Sequence, residues 1–170
     1  MIPPRERDLV DEISADLVAR GFAVRREVSF LVSTYDGAPQ ERDLDLYLRA
    51  PRTWEHYARW PLIAVEAKRR DMGSMGDAID GFYQSASAMV GRRFRQGATD
   101  LPCPSIALYV DAQSWRREPA EVSREAMLVD RMLWRVGAAI LNAGWDECPC
   151  FTYACKGMAQ TTYRFPPRTA

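Results

Sequence analysis

Lysine is nearly absent from this chain of 170 residues. Of its 23 basic residues, 21 are arginine, and only Lys68 and Lys156 are lysine. Histidine is rarer still, with His56 alone. The four cysteines are Cys103, Cys148, Cys150 and Cys155, and the last three form a C-x-C-x₄-C arrangement that matches no common zinc pattern. That leaves reduced structural thiols, the favoured reading, or an unusual metal or iron–sulfur site. Net charge is absent too: 23 acidic residues balance the basic ones, with a pI near 6.6. This excludes attraction of nucleic acid by the whole surface but not by a local basic groove beside acidic groups. No apolar run approaches the roughly 18 residues a membrane span needs, and Met1 to Asp8 lacks the apolar core of a signal peptide. The expectation is a cytoplasmic protein with no membrane partner. At 47% apolar and 27% charged, residues 1–170 read as a single globular domain.

Against that background one stretch stands out. Pro61-Leu62-Ile63-Ala64-Val65-Glu66-Ala67-Lys68-Arg69 is a buried strand by its apolar run, yet it ends on a carboxylate and an ammonium two residues apart. Residues two apart on a strand share a face. An arginine-biased chain that keeps lysine at position 68 has a compact point charge there, suited to touching a water as a planar guanidinium is not. Upstream, Arg42-Asp43-Leu44-Asp45-Leu46-Tyr47-Leu48-Arg49 alternates as a half-buried strand, with Asp43 and Asp45 on one face. Pairing the two strands would bring Asp45, Glu66 and Lys68 together. Two hard oxygen ligands suit Mg²⁺, which keeps several waters and takes its other ligands from phosphates. The bland alternative is an ion pair of Glu66 with Lys68 at a strand end.

Asp45 followed by Glu66-Ala67-Lys68 on the next strand resembles the PD-(D/E)XK nuclease superfamily, the restriction-endonuclease-like fold. The resemblance implies an α-β-β-β-α-β core over about residues 6–113, with a mixed central sheet flanked by helices; beyond it, residues 114–170 read as an added helix followed by a short strand or hairpin. It implies a Mg²⁺-dependent DNA nuclease, with Mn²⁺ able to substitute, in which Asp45, Glu66 and the carbonyl of Ala67 hold the metal and Lys68 orients the attacking water. Asp43 competes with Asp45 for the first position; Leu46-Tyr47-Leu48 following Asp45 favours the latter. Gln84, on the next helix, matches a glutamine that many members place near the site, and a solvated glutamine explains it equally. Glu6-Arg7, an apolar helix and Gly21-Phe22-Ala23-Val24-Arg25 are similar to the opening of archaeal-type Holliday junction resolvases, in which a helix-one glutamate approaches the metal. At Glu6 the helix dipole is the competing explanation. By this resemblance the enzyme is an endonuclease of phage, repair, recombination or restriction type, acting as a homodimer. A catalytically inactive nucleic-acid-binding or assembly module is the alternative.

The remaining segments read in order. Residues 6–20 form a helix with Leu9, Val10, Ile13 and Leu17 on one stripe, stopped by Gly21. Phe22 to Thr34 is a strand returning through an Asp-Gly turn. Pro51 to Trp60 is an insertion whose aromatics, Trp54, Tyr57 and Trp60 with His56, pack over the sheet or stack on a base, packing being favoured. Asp77 to Phe94 is expected to be a helix burying Ile79, Phe82, Tyr83, Ala86 and Val90. Pro104 to Asp111 is a central strand parallel to the Glu66 strand. Glu121 to Asn142 is expected to be one long helix. Arg69, Arg70, Arg92, Arg93, Arg116 and Arg117 are the candidates for contact with a phosphate backbone.

Overall fold

The computed structural model describes residues 4–33, 37–68, 75–111, 115, 132–142, 148–154 and 159–169, with backbone alone at 4, 5 and 75–82. Helix α1 (Pro4–Ala19) is followed by strands β1 (Ala23–Ser33), β2 (Pro39–Arg49) and β3 (Leu62–Lys68), helix α2 (Met75–Val90), and strands β4 (Arg92–Gln96), β5 (Thr99–Leu101), β6 (Ile106–Asp111), β7 (Ala138–Asn142), β8 (Cys150–Tyr153) and β9 (Thr161–Arg164). All nine strands join one sheet in the order β5-β4-β1-β2-β3-β6-β7-β8-β9. Pairing is antiparallel except where β6 meets β3 and β7. The architecture is therefore mixed α/β with a large, mostly antiparallel sheet. Among the described residues no helix is long and apolar enough to cross a membrane.

The first helix forms and stops as its residues dictate. Leu9, Val10, Ile13 and Leu17 are buried on one stripe. Gly21 adopts φ +85°, and the amides of Gly21 and Phe22 close on the carbonyls of Val18 and Leu17. This left-handed cap satisfies carbonyls that the helix leaves open and turns the chain into β1. The cluster around α1 takes in Leu46, Leu48, Ile63, Val65 and Ala67, and a second cluster containing Ala88 of α2 takes in Tyr47, Ala64, Ala107 and Tyr109. The sheet thus separates two cores, one under each helix.

Two helices expected from the sequence end early. Helix α2 stops at Val90, and the chain then forms β4, so Arg92 and Arg93 lie on a strand and do not close a helix. A side chain at Gly91 would meet the ring of Phe30 at 2.6 Å. Glycine there permits the close approach that lets Phe94 stack on Phe30 at 5.2 Å. The buried stripe is also rotated from expectation: Tyr83 and Val90 are exposed, whereas Ser85 and Ala88 are buried. Of the long helix expected over 121–142, residues 121–131 lie outside the described residues. Residues 132–135 are helical, and the chain then turns at Gly137 (φ +78°) into β7. Ala138, Ala139 and Leu141 are fully buried beside β6. A short apolar run fits helix or strand equally, and here the sheet captured it.

The aromatic insertion packs, as favoured. Trp54 and Trp60 are buried against the C-terminal hairpin. Trp54 stacks on Phe165 at 5.4 Å and donates to the Arg164 carbonyl at 2.8 Å. Trp60 meets Phe151, Tyr153 and Tyr163 edge-on, and His56 meets Trp54 and Tyr163 in the same way.

Candidate active site

The ladder joining β2 to β3 runs from Arg49↔Leu62 to Leu46↔Val65. One step beyond, the register sets Asp45 across from Glu66. There a carboxylate carries on the strand pairing: the amide of Ala67 donates to Asp45 Oδ2 at 2.8 Å. Asp43, the competitor, is exposed, whereas Asp45 and Glu66 are 9% and 6% exposed. Lys68 Nζ lies 2.8 Å from Glu66 Oε1 and 3.5 Å from Glu6 Oε1, the latter reaching in from the first turn of α1. Glu6, Asp45, Glu66 and Lys68 therefore form one cluster of three carboxylates around one ammonium, assembled from α1, β2 and β3.

The electrostatics follow from burial. Burial pushes the Glu66 carboxyl up to about 7; the Asp45 charge adds to the rise, and Lys68 opposes it. Asp45 is pushed up to about 6, again by burial first, with Glu6 and Asp43 adding and the Ala67 amide and Lys68 opposing. For Lys68, burial alone would lower the pKa, but Glu66, Glu6 and Asp45 outweigh it, and the net shift is upward. Lys68 is therefore a fixed cation near neutral pH, suited to holding an anion or a water rather than to removing a proton. The two carboxyls are poised close to neutrality, where a further positive charge would let both ionise.

Among the described residues no set of three His, Cys, Asp or Glu side chains gathers in a way that would hold a metal ion by itself. The facing Asp45 and Glu66 still fit one kind of ion, a hard divalent cation that keeps waters and takes further oxygens from a phosphate. They do not fit a caged structural metal. Cys103 and Cys148 are free thiols, with Cys148 Sγ donating to the Phe165 carbonyl at 2.9 Å. Cys155 lies outside the described residues.

Other expected residues stand apart. Gln84 is half-buried with its Oε1 lacking a hydrogen-bond partner, and among the described residues no hydrogen bond joins it to the four charged groups. Arg92 and Arg93 are exposed on β4, two strands from Asp45. Arg69, Arg70, Arg116 and Arg117 lie outside the described residues. Sequence reasoning missed β4 and β5, although Gly91 and Gly97 (φ +59°) punctuate that segment as strand and turn. It also missed the Ala67 amide as the partner of Asp45. No family model, no curated protein and no solved structure matches this chain.

Proposed function

We propose that this protein is a Mg²⁺-dependent DNA nuclease on a restriction-endonuclease-like core, an endonuclease that works as a homodimer in the cytoplasm, with Mn²⁺ able to substitute. One observation carries the reading: two buried carboxylates face each other at the end of the β2–β3 ladder, with an ammonium 2.8 Å from one of them. Asp45, Glu66 and the carbonyl of Ala67 would hold the cation. When bound, such an ion supplies Lewis acidity toward a phosphodiester oxygen and acidifies water. Lys68 orients the attacking water and offers positive charge to the phosphate as negative charge builds on it. Glu6 holds the far side of Lys68, so the ammonium lies between two strands and a helix. The α1-β1-β2-β3-α2 order followed by the parallel pair β3–β6 agrees with the expected core, β4 and β5 being an addition on the far side of β1.

The direct Glu66–Lys68 contact favours a second reading, because it partners Glu66 without any metal. On that reading the chain is an inactive nucleic-acid-binding or assembly module. Incubating plasmid and branched DNA with Mg²⁺ or Mn²⁺ separates the two. Asp45→Ala and Lys68→Ala should each lower the cleavage rate by about a hundredfold or more. Cleavage by both variants at the parental rate would sink the assignment. Tight, stoichiometric Mn²⁺ binding that disappears in Glu66→Ala would argue against the inactive module.

A further inference from the structure

The β1–β2 hairpin breaks its own pleat at one place, beside Asp45. In β1, Val24 packs with the α1 cluster and Arg26 pairs with Asp11 of α1, whereas Val28 and Phe30 belong to the α2 cluster. In β2, Leu46 and Leu48 belong to the α1 cluster and Leu44 to the α2 cluster. All these residues have even numbers, so a strand that kept its alternation would present each set on one face. The register passes from Arg26↔Leu46 to Val28↔Leu44. The residues between are Glu27 and Asp45, and Glu27 has φ +52°. A left-handed backbone at a residue other than glycine, asparagine or aspartate costs about 1 kcal/mol or more and persists only where the surroundings impose it. The rotation of the strands at this point leaves the run Leu44 to Leu48 buried without interruption, and it carries Asp45 into reach of the Ala67 amide.

We propose that Glu27 is a positioning residue for Asp45 that acts through its backbone: its left-handed conformation switches the hairpin from one core to the other and so aims the Asp45 carboxylate at Ala67 and Glu66. The side-chain charge takes no part. Glu6, Asp43, Glu66 and Lys68 are the charges that bear on Asp45, and Glu27 is not among them. Glu27 itself is exposed. The catalytic consequence rests on the nuclease reading, but the aim of Asp45 does not.

The experiment therefore has two arms. Amide hydrogen exchange by NMR is followed at Ala67 and, as an internal reference, at Val65, in the parent, Glu27→Gly, Glu27→Gln and Glu27→Val. Metal-dependent cleavage is measured on the same samples. Glycine adopts positive φ freely and glutamine keeps the parental backbone, so both should preserve Ala67 protection and the cleavage rate. Valine resists positive φ. It should speed exchange at Ala67 by about tenfold or more while leaving Val65 protected, and lower kcat by about a hundredfold with KM little changed. Arg93→Val is the control, because Arg93 also has positive φ (+60°) at a β4 bulge away from the site; it should leave Ala67 unaffected. The proposal is overturned if folded Glu27→Val keeps full Ala67 protection, or if Glu27→Gln or Glu27→Gly loses it. Should the valine variant fail to fold, Glu27→Thr, also β-branched and resistant to positive φ, takes its place, and full Ala67 protection in it overturns the proposal in the same way. A parent that cuts no DNA would remove the nuclease reading and leave the exchange arm standing.

Discussion

The two ends of the central strands solve opposite problems. At one end, Trp54, Trp60, Phe151, Tyr163 and Phe165 bury their rings in contact with one another, and Trp54 and Cys148 place their polar atoms on the backbone carbonyls of the C-terminal hairpin. At the other, Asp45 and Glu66 are buried with like charge facing like, beside one ammonium and a backbone break. The first region gains stability from its ring contacts, although the buried Trp60 Nε1 has no hydrogen-bond partner. The second holds two carboxyls far from their ordinary titration, and that conflict is what a cation would relieve. Structure that opposes itself locally points to chemistry, and structure that agrees with itself points to support.

The sharpest way to break this comparison is to delete a ring from the packed end. Phe151 is fully buried and touches the rings of Trp60, Tyr163 and Phe165. Phe151→Ala should destabilise by about 3–5 kcal/mol, lowering the melting temperature by on the order of 10 °C. Below that temperature the variant should bind Mn²⁺ as the parent does. A loss of Mn²⁺ affinity in the folded variant would mean that the two ends are not independent.

The next effect is a pH dependence that runs opposite to ordinary acid denaturation. A carboxyl whose folded pKa is raised contributes stability that is fully present below its unfolded value and is lost as pH rises through the folded value. For Glu66 that window extends from about 4.5 to about 7, and the loss amounts to roughly 3 kcal/mol. Asp45 adds to it over a lower window, up to about 6. Urea titrations at pH 5 and pH 8 should show Glu66→Gln gaining on the parent as pH rises, and Mn²⁺ stabilising the parent more at pH 8 than at pH 5. Parallel pH curves for parent and variant would refute the strained-carboxyl account.

Much of this was legible in the sequence, and the residues say why. Pro61 to Lys68 could be read because an apolar run ending in Glu-x-Lys has few structural reasons to exist, and the alternation around Asp45 set the partner strand. The helix after β3 was overextended because Arg92 and Arg93 suit a helix terminus as well as a strand, and nothing local shows that Phe94 has Phe30 to stack on. The C-terminal helix was overextended for the same reason: Ala-Ala-Ile-Leu becomes a strand only because β6 offers it an edge. The switch at Glu27 was invisible, since glutamate carries no signature of positive φ. Local pattern reaches the site residues themselves; long-range pairing decides what holds them in place.

The smallest effect expected is that of deleting Arg59, and it is sharpest beside the deletion of Lys68, a cation at the other end. Arg59 lies over the rings of Trp60 and Tyr163 at 5.0 and 5.4 Å, on the exposed rim of the aromatic cluster. An exposed cation on an aromatic face contributes about 0.5–1 kcal/mol, so Arg59→Ala should lose no more than that at any pH between 5 and 8. Lys68→Ala removes the same charge where a buried carboxylate depends on it, and an unpaired buried carboxylate costs about 3–5 kcal/mol. Proton uptake limits that cost. At pH 5, below the raised value of Glu66, the carboxyl is already neutral, and the two variants should differ little in stability. By pH 8 Lys68→Ala should fall behind as Glu66 ionises or holds a proton against the pH, while Arg59→Ala stays level. Chemical denaturation of both variants across that range measures the divergence, and lines that stay parallel would show that charge is handled alike at the two ends.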